Sequence, residues 1–189
     1  AQGRMDRAQS LSVQAGTAAS WLIPELLTVS ADVLTGYMRD DDFSEFSQFL
    51  HNVNRQRAHT LGEKEEELLA MAGEIAEAPR QVFLMLENAD MVFPKIKDEE
   101  GREVEMSHGR YLRFLESKDR SVRRAAYEAM YDTFAKQKNT IAATYSYSVK
   151  KDLFLSKARK YSSARSMSLD EDNVPESVYD NLIASVRAH

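Results

Sequence analysis

Between Asp119 and Lys160 the sequence contains neither Gly nor Pro. A run of roughly forty residues without either breaker, patterned at three- and four-residue steps, constrains the chain more than any other feature: it reads as helix. Val122, Ala126, Ala129, Met130, Thr133, Gln137, Ile141, Tyr145 and Val149 keep that spacing, and Asp119 is placed to cap the first turn. The stripe mixes small, polar and aromatic residues, which fits a helix packed on more than one surface. Upstream lies the one convincing β-hairpin pattern. Its arms, 91–96 and 102–106, are joined by the charged, Gly-containing turn 97–101. Pro94 cannot donate a ladder hydrogen bond, so the first arm is expected at an edge or paired only in part.

Everything around this segment reads as helical. Met5, Ala8, Leu11, Ala15, Ala18 and Leu22 predict an amphipathic helix over 4–22 with a small-residue face. Pro24 is expected to hold Ile23 extended, and 25–27 to form at most a short turn. Ser30 is a candidate N-cap for 31–38. Asp42 with Glu45 has the spacing of a capping pair, ahead of an apolar stripe of Phe43, Phe46, Phe49, Leu50 and Val53 that is expected in the core. Thr60 with Glu63 suggests a capping box for 61–78, with Leu61, Leu68, Ala72 and Ile75 as the buried face. The acidic cluster Glu63, Glu65, Glu66 and Glu67 falls where a helix dipole favours negative charge. Pro79 suits the first turn of another helix, whose block Val82 to Leu86 is expected to be deeply buried. Ser107 or His108 starts a short helix through Leu115, 161–168 is a short helix or loop, 170–173 is a break, and Pro175 opens a final helix. The expected fold is therefore mainly α: a multi-helix array with one β-hairpin at about 91–106 and a long helix at about 120–160. The expected division is an N-terminal helical lobe, 1–87, and a hairpin plus long-helix region, 88–189.

Composition narrows the chemistry. The 189 residues include no cysteine, which removes disulfides, thiol catalysis and thiolate metal sites together. No apolar run approaches the ~20 residues of a membrane span, and 1–5 lack a signal-peptide core, so no membrane partner is expected. The formal net charge of −5 hides an asymmetry: 110–165 carry 14 Lys and Arg against 5 Asp and Glu. A basic stripe can hold nucleic acid, but these charges are spread at helical spacing without base-stacking motifs, and acidic segments elsewhere can neutralise them. No nucleic-acid partner is expected. None of His51, His59, His108 and His189 has a second His at i+4; there is no Gly-x-Ser-x-Gly elbow and no Gly-rich phosphate loop. His51 reads as a surface residue and His108 as part of a helix-start turn. No catalytic, cofactor-binding or metal residue is assigned.

Several linked segments carry more. These are His59-Thr60-Leu61 with its acidic helix, the hairpin from Asn88-Ala89-Asp90-Met91-Val92-Phe93-Pro94-Lys95-Ile96 to Gly101, and Ser107-His108-Gly109-Arg110-Tyr111-Leu112-Arg113-Phe114-Leu115 through Arg123. Two more are Lys138-Asn139-Thr140-Ile141-Ala142-Ala143-Thr144 and Asp172-Asn173-Val174-Pro175-Glu176-Ser177-Val178-Tyr179 through Ile183. In this order and spacing they resemble the oligoendopeptidase F group of the M3, thimet-oligopeptidase-like metallopeptidases, in the region upstream of the zinc motif. The resemblance implies part of a larger M3-like helical fold and a parent that is a cytoplasmic zinc endopeptidase of short peptides. It implies that zinc is held by two His and a Glu further downstream, at positions absent from this sequence. This segment would then form channel wall and support for the catalytic domain, be inactive alone, and self-associate when separated from it. The abrupt ending at 185–189, inside a helical pattern, fits a piece of a longer chain. The competing expectation is a stand-alone helical interaction module that uses its basic face.

Overall fold

The computed structural model describes residues 2–189, including their side chains except those of Gln2, Met5 and Asp6. The placing of Met5 on a helix face therefore lies outside the described residues. Two compact units are present: residues 2–77 with Val149–His189, and Ala78–Ser148.

The first unit begins with α1 (Gln2–Ala19) and the single-turn α2 (Leu22–Leu26). Pro24 lies inside α2 and Ile23 is helical, against the expectation of an extended residue. In the first turn of a helix the missing proline N–H has no intrahelical partner to lose. Next, α3 (Ala31–Tyr37) is capped as expected, with the Ser30 hydroxyl accepting from the Val33 amide at 3.4 Å. The cap expected at Asp42 is instead Asp40, which accepts from the Asp42 amide at 3.0 Å and opens a 3-10 turn, Asp41–Phe46. Only then does α4 (Ser47–Arg55) start. Leu50 and Val53 are buried, but Phe43, Phe46 and Phe49 are exposed. The 3-10 turn is the reason for two of them: its three-residue period takes Phe43 and Phe46 off the buried face of α4.

A second 3-10 turn, Gln56–His59, ends at an extended Thr60, whose hydroxyl donates back to the Gln56 carbonyl at 3.1 Å. The helix start therefore slides two residues, with Gly62 in place of Thr60 as N-cap, and only the carboxylate half of a capping box forms, since Gly62 has no side chain. Glu65 accepts from the Gly62 amide and Glu66 from the Leu61 amide, both at 2.9 Å. The helix is shorter than expected and divided into α5 (Glu63–Met71) and α6 (Gly73–Ala76). Leu68 and Ile75 are exposed rather than buried. Both α5 and α6 lie against α1.

The second unit opens with α7 (Ala78–Met85), which carries Pro79 in its first turn as expected. Of the block Val82 to Leu86, only Leu86 is buried and Val82 is exposed, because a helix of this length gives a block of five residues to all sides. A π-turn, Leu86–Asp90, closed by the Met91 amide on the Leu86 carbonyl at 2.9 Å, leads into β1 (Lys95–Lys97). This strand pairs antiparallel with β2 (Glu103–Glu105), with Ile96 opposite Val104. Pro94 lies just outside the ladder and contributes only its carbonyl, to the Met106 amide at 3.1 Å. The turn places Gly101 at φ +76°, a left-handed conformation that a side chain would strain.

Ser107 then caps α8 (His108–Leu115), and Asp119 caps α9 (Arg120–Lys136), accepting from the Ser121 amide at 2.8 Å. The Ser121 hydroxyl, and next that amide hydrogen bond, hold the Asp119 carboxyl below the usual aspartate range. Val122, Ala126, Ala129, Met130 and Thr133 are buried, as the stripe requires. Ala126, Ala129 and Met130 form the core of this unit with Ile96 and Met106 of the hairpin, and Phe93, Tyr111, Phe114 and Phe134 pack around them. The long helical run continues as α10 (Lys138–Ala158) after a joint at Gln137, and there Tyr145 and Val149 are exposed. The chain re-enters the first unit within α10 and ends with α11 (Ala164–Glu171), capped by Ser163, and α12 (Glu176–Ala188). No described helix is long and apolar enough to cross a membrane.

Candidate functional site

A polar constellation lies in the first unit, where 55–66 meet 155–171. Arg159 follows the last turn of α10 and makes a two-point fork on Glu66, Nη1 to Oε1 and Nη2 to Oε2, both 2.8 Å. Glu66 reaches this position because it stands in the first turns of α5, where its Oε1 also accepts the Leu61 amide. Glu66 is 12% exposed and Arg159 32%. Two residues further on, Tyr161 donates its hydroxyl to Asp170 Oδ2 at 2.7 Å. Arg55, at the end of α4, grips the same Asp170 by its carboxylate and by its carbonyl.

His59 sits between these pairs. Its ring stacks on Tyr161 with centroids 3.6 Å apart and planes 11° from parallel. Nδ1 lies 2.8 Å from the Arg159 carbonyl, an oxygen that can only accept, so Nδ1 carries the proton. In the neutral ring Nε2 then keeps its lone pair. Beside the network is a cleft of about 560 Å³ lined by His59, Glu66, Arg159, Tyr161 and Glu171, with apolar walls from Ile23, Leu69 and Leu155.

The electrostatics describe a lock rather than a proton-transfer centre. Burial, and next the hydrogen bond to Asp170, push the Tyr161 phenol up to about 12, so at neutral pH it donates and does not act as a base. Each guanidinium faces a carboxylate, and the hydroxyls nearby are spent on backbone or carboxylate acceptors. No nucleophile stands against a general base in this network. Among the described residues no group of three or more His, Asp or Glu side chains could hold a metal ion, so those residues by themselves do not make a zinc centre.

The other histidines are elsewhere. His51 is exposed on α4. His108 opens α8, 3.5 Å from Glu87 and edge-on to Phe93 and Phe134, a packing role in the second unit. His189 is exposed at the chain end. Several cations of the basic stripe are engaged within the chain. Arg110 holds the Glu105 carbonyl, Arg123 the Ser117 and Lys118 carbonyls, and Arg124 the Glu128 carboxylate. The network of Arg55, His59, Glu66, Arg159, Tyr161 and Asp170 was not singled out from the sequence. The four-residue step from Arg55 to His59 was the one local signal, and their partners lie 100 and 115 residues away.

Comparison with known proteins agrees with the fold. Residues 25–93 match the family described as Oligopeptidase F, and 113–189 match Peptidase family M3. The whole chain is 41% identical to Oligopeptidase PepF of Bacillus subtilis, of which it spans 28%. Over 97% of its length it is 38% identical to Group B oligopeptidase PepB of Streptococcus agalactiae, of which it spans 31%. The crystal structure of oligoendopeptidase-F from Enterococcus faecium superposes on the whole chain with a TM-score of 0.94 at 41% identity, and the match covers 37% of that structure. With two M3 matches in chain order and a mainly helical, single-hairpin fold shared with a solved oligoendopeptidase-F, this chain belongs to peptidase family M3, among the oligoendopeptidase F proteins.

Proposed function

We propose that this chain is part of a zinc-dependent oligoendopeptidase that hydrolyses internal bonds of short peptides in the cytoplasm. Within that protein it forms channel wall and support for the catalytic domain, and it carries no catalytic or zinc-binding residue of its own. Its 1–87 portion is the N-terminal helical lobe, and 88–189 lead into the catalytic domain. The observation that carries the reading is similarity over the whole chain to oligoendopeptidase F proteins, in sequence and in fold together. Zinc in such an enzyme supplies a Lewis acid and an activated water. The residues here contribute by fixing the scaffold, as the Glu66–Arg159 fork does by tying α5 to the end of α10. A free-standing interaction module is not favoured, since peptidase similarity runs through the whole chain and much of the basic face is engaged internally.

The test compares the 189-residue chain with the full reading frame that encodes it. The expected result is a His-Glu-x-x-His sequence downstream, stoichiometric zinc and peptide cleavage in the longer protein, and neither zinc nor cleavage in the short one. Metal-dependent turnover by the 189 residues alone would overturn the assignment. The short chain is also expected to self-associate, seen as a light-scattering mass above its 21.5 kDa.

A further inference from the structure

Helix α12 has two differently used flanks. On one, Arg165 of α11 grips Glu176 and reaches Asp180 at 2.8 Å, while its guanidinium lies 5.5 Å from the Tyr179 ring centroid. These contacts hold the 176–179–180 side of α12 against α11. Roughly a third of a turn round the helix stand Val178, Leu182 and Val186 at steps of four, a continuous aliphatic ridge. They are 55, 60 and 69% exposed. The clamp thus fixes which way the ridge faces.

We propose that this ridge is the docking surface for the portion of the M3 peptidase that has no counterpart in this chain. The proposal rests on the assignment of the chain to a longer peptidase, and three observations choose this occupant. Helix α12 falls inside the segment, 113–189, that matches Peptidase family M3. The solved oligoendopeptidase-F contains this fold as 37% of its chain, so most of that enzyme is available to cover it. Finally, three aliphatic side chains offer roughly a few hundred Å² at most, far short of the ~1,200 Å² of a stable interface between separate molecules. A second copy would therefore bind poorly through this ridge alone, so the self-association expected of the short chain is assigned to other exposed apolar surface, whereas a covalently tethered segment docks at high effective concentration and needs no such area.

Hydrogen exchange of the peptide covering 176–188 tests this in the 189-residue chain and in the full-length protein, with 31–37 of α3 as internal reference. The amides of α12 are expected to exchange at least about tenfold more slowly in the full-length protein, with α3 changed far less. Leu182→Ser should remove much of that protection in the full-length protein and leave the short chain unchanged, because Leu182 is already exposed there. Equal exchange in both proteins overturns the inference, as does protection in the full-length protein that Leu182→Ser does not touch. So does protection that grows with concentration in the short chain, which would make a second copy the occupant. Peptidase activity separates the two levels: an active full-length enzyme with an unprotected α12 refutes the docking surface alone, and a full-length protein without peptidase activity refutes the assignment beneath it.

Discussion

Removing Arg159 should destabilise the first unit more than removing its partner, by an amount the geometry bounds. Glu66 is 12% exposed and accepts three hydrogen bonds, two from Arg159 and one from the Leu61 amide. Deleting one member of a buried pair costs about 3–5 kcal/mol because the other charge is left uncompensated. Arg159→Ala leaves a part-buried carboxylate with only the Leu61 amide as partner, so a loss at the low end of that range, about 3 kcal/mol, is expected. In Glu66→Ala the surviving guanidinium is 32% exposed and can turn to solvent, so solvent screening reduces the loss to about 2 kcal/mol even with the Leu61 amide unpaired. The double variant should then show a coupling of about 1–2 kcal/mol. Urea unfolding at 25 °C, followed by fluorescence, reads this locally, since Trp21 is the sole tryptophan and belongs to the first unit. Additive losses, with coupling under about 0.5 kcal/mol, or a larger loss from Glu66→Ala, would refute the reasoning.

Three further outcomes follow from single features. The Tyr161 phenol is raised to about 12 in the folded chain against about 10 unfolded, so its contribution is complete below pH 10 and disappears as pH climbs to 12. Tyr161→Phe should flatten that part of a stability-versus-pH curve, and an unchanged alkaline slope would contradict the shift. Gly101→Ala puts a side chain at φ +76° and should cost about 1 kcal/mol, measured as a lower unfolding midpoint for the hairpin unit. Ile96→Ala hollows the core against Met106, Ala126 and Met130 and should cost about 2–5 kcal/mol; a loss below 1 kcal/mol would mean that α9 does not depend on the hairpin.

What could be read from the sequence was local. Ser30, Ser107 and Asp119 cap helices because each side chain reaches amides two or three residues away, a geometry carried by the sequence itself. The α9 stripe and the hairpin turn were legible for the same reason. Local pattern fails where two local solutions compete. Thr60 could cap a helix, but a hydroxyl bond back to Gln56 and carboxylates at Glu65 and Glu66 moved the start to Glu63. Apolar periodicity alone does not mark core: Leu68, Ile75, Phe46 and Phe49 have the right spacing and are exposed in this chain. The polar network was invisible because nothing near Arg55 announces Asp170, and nothing near Glu66 announces Arg159.

The first unit is assembled from two separated stretches, with Ala78–Ser148 inserted between them. During synthesis the hairpin, α8 and α9 are complete before Arg159 exists. Glu66 leaves the ribosome 93 residues ahead of its partner, roughly 5–20 s at typical elongation rates of about 5–20 residues per second. For that interval α4 and α5 must persist without the lock that ends their folding, so within these residues the inserted unit is free to fold first and the unit around it waits for Arg159.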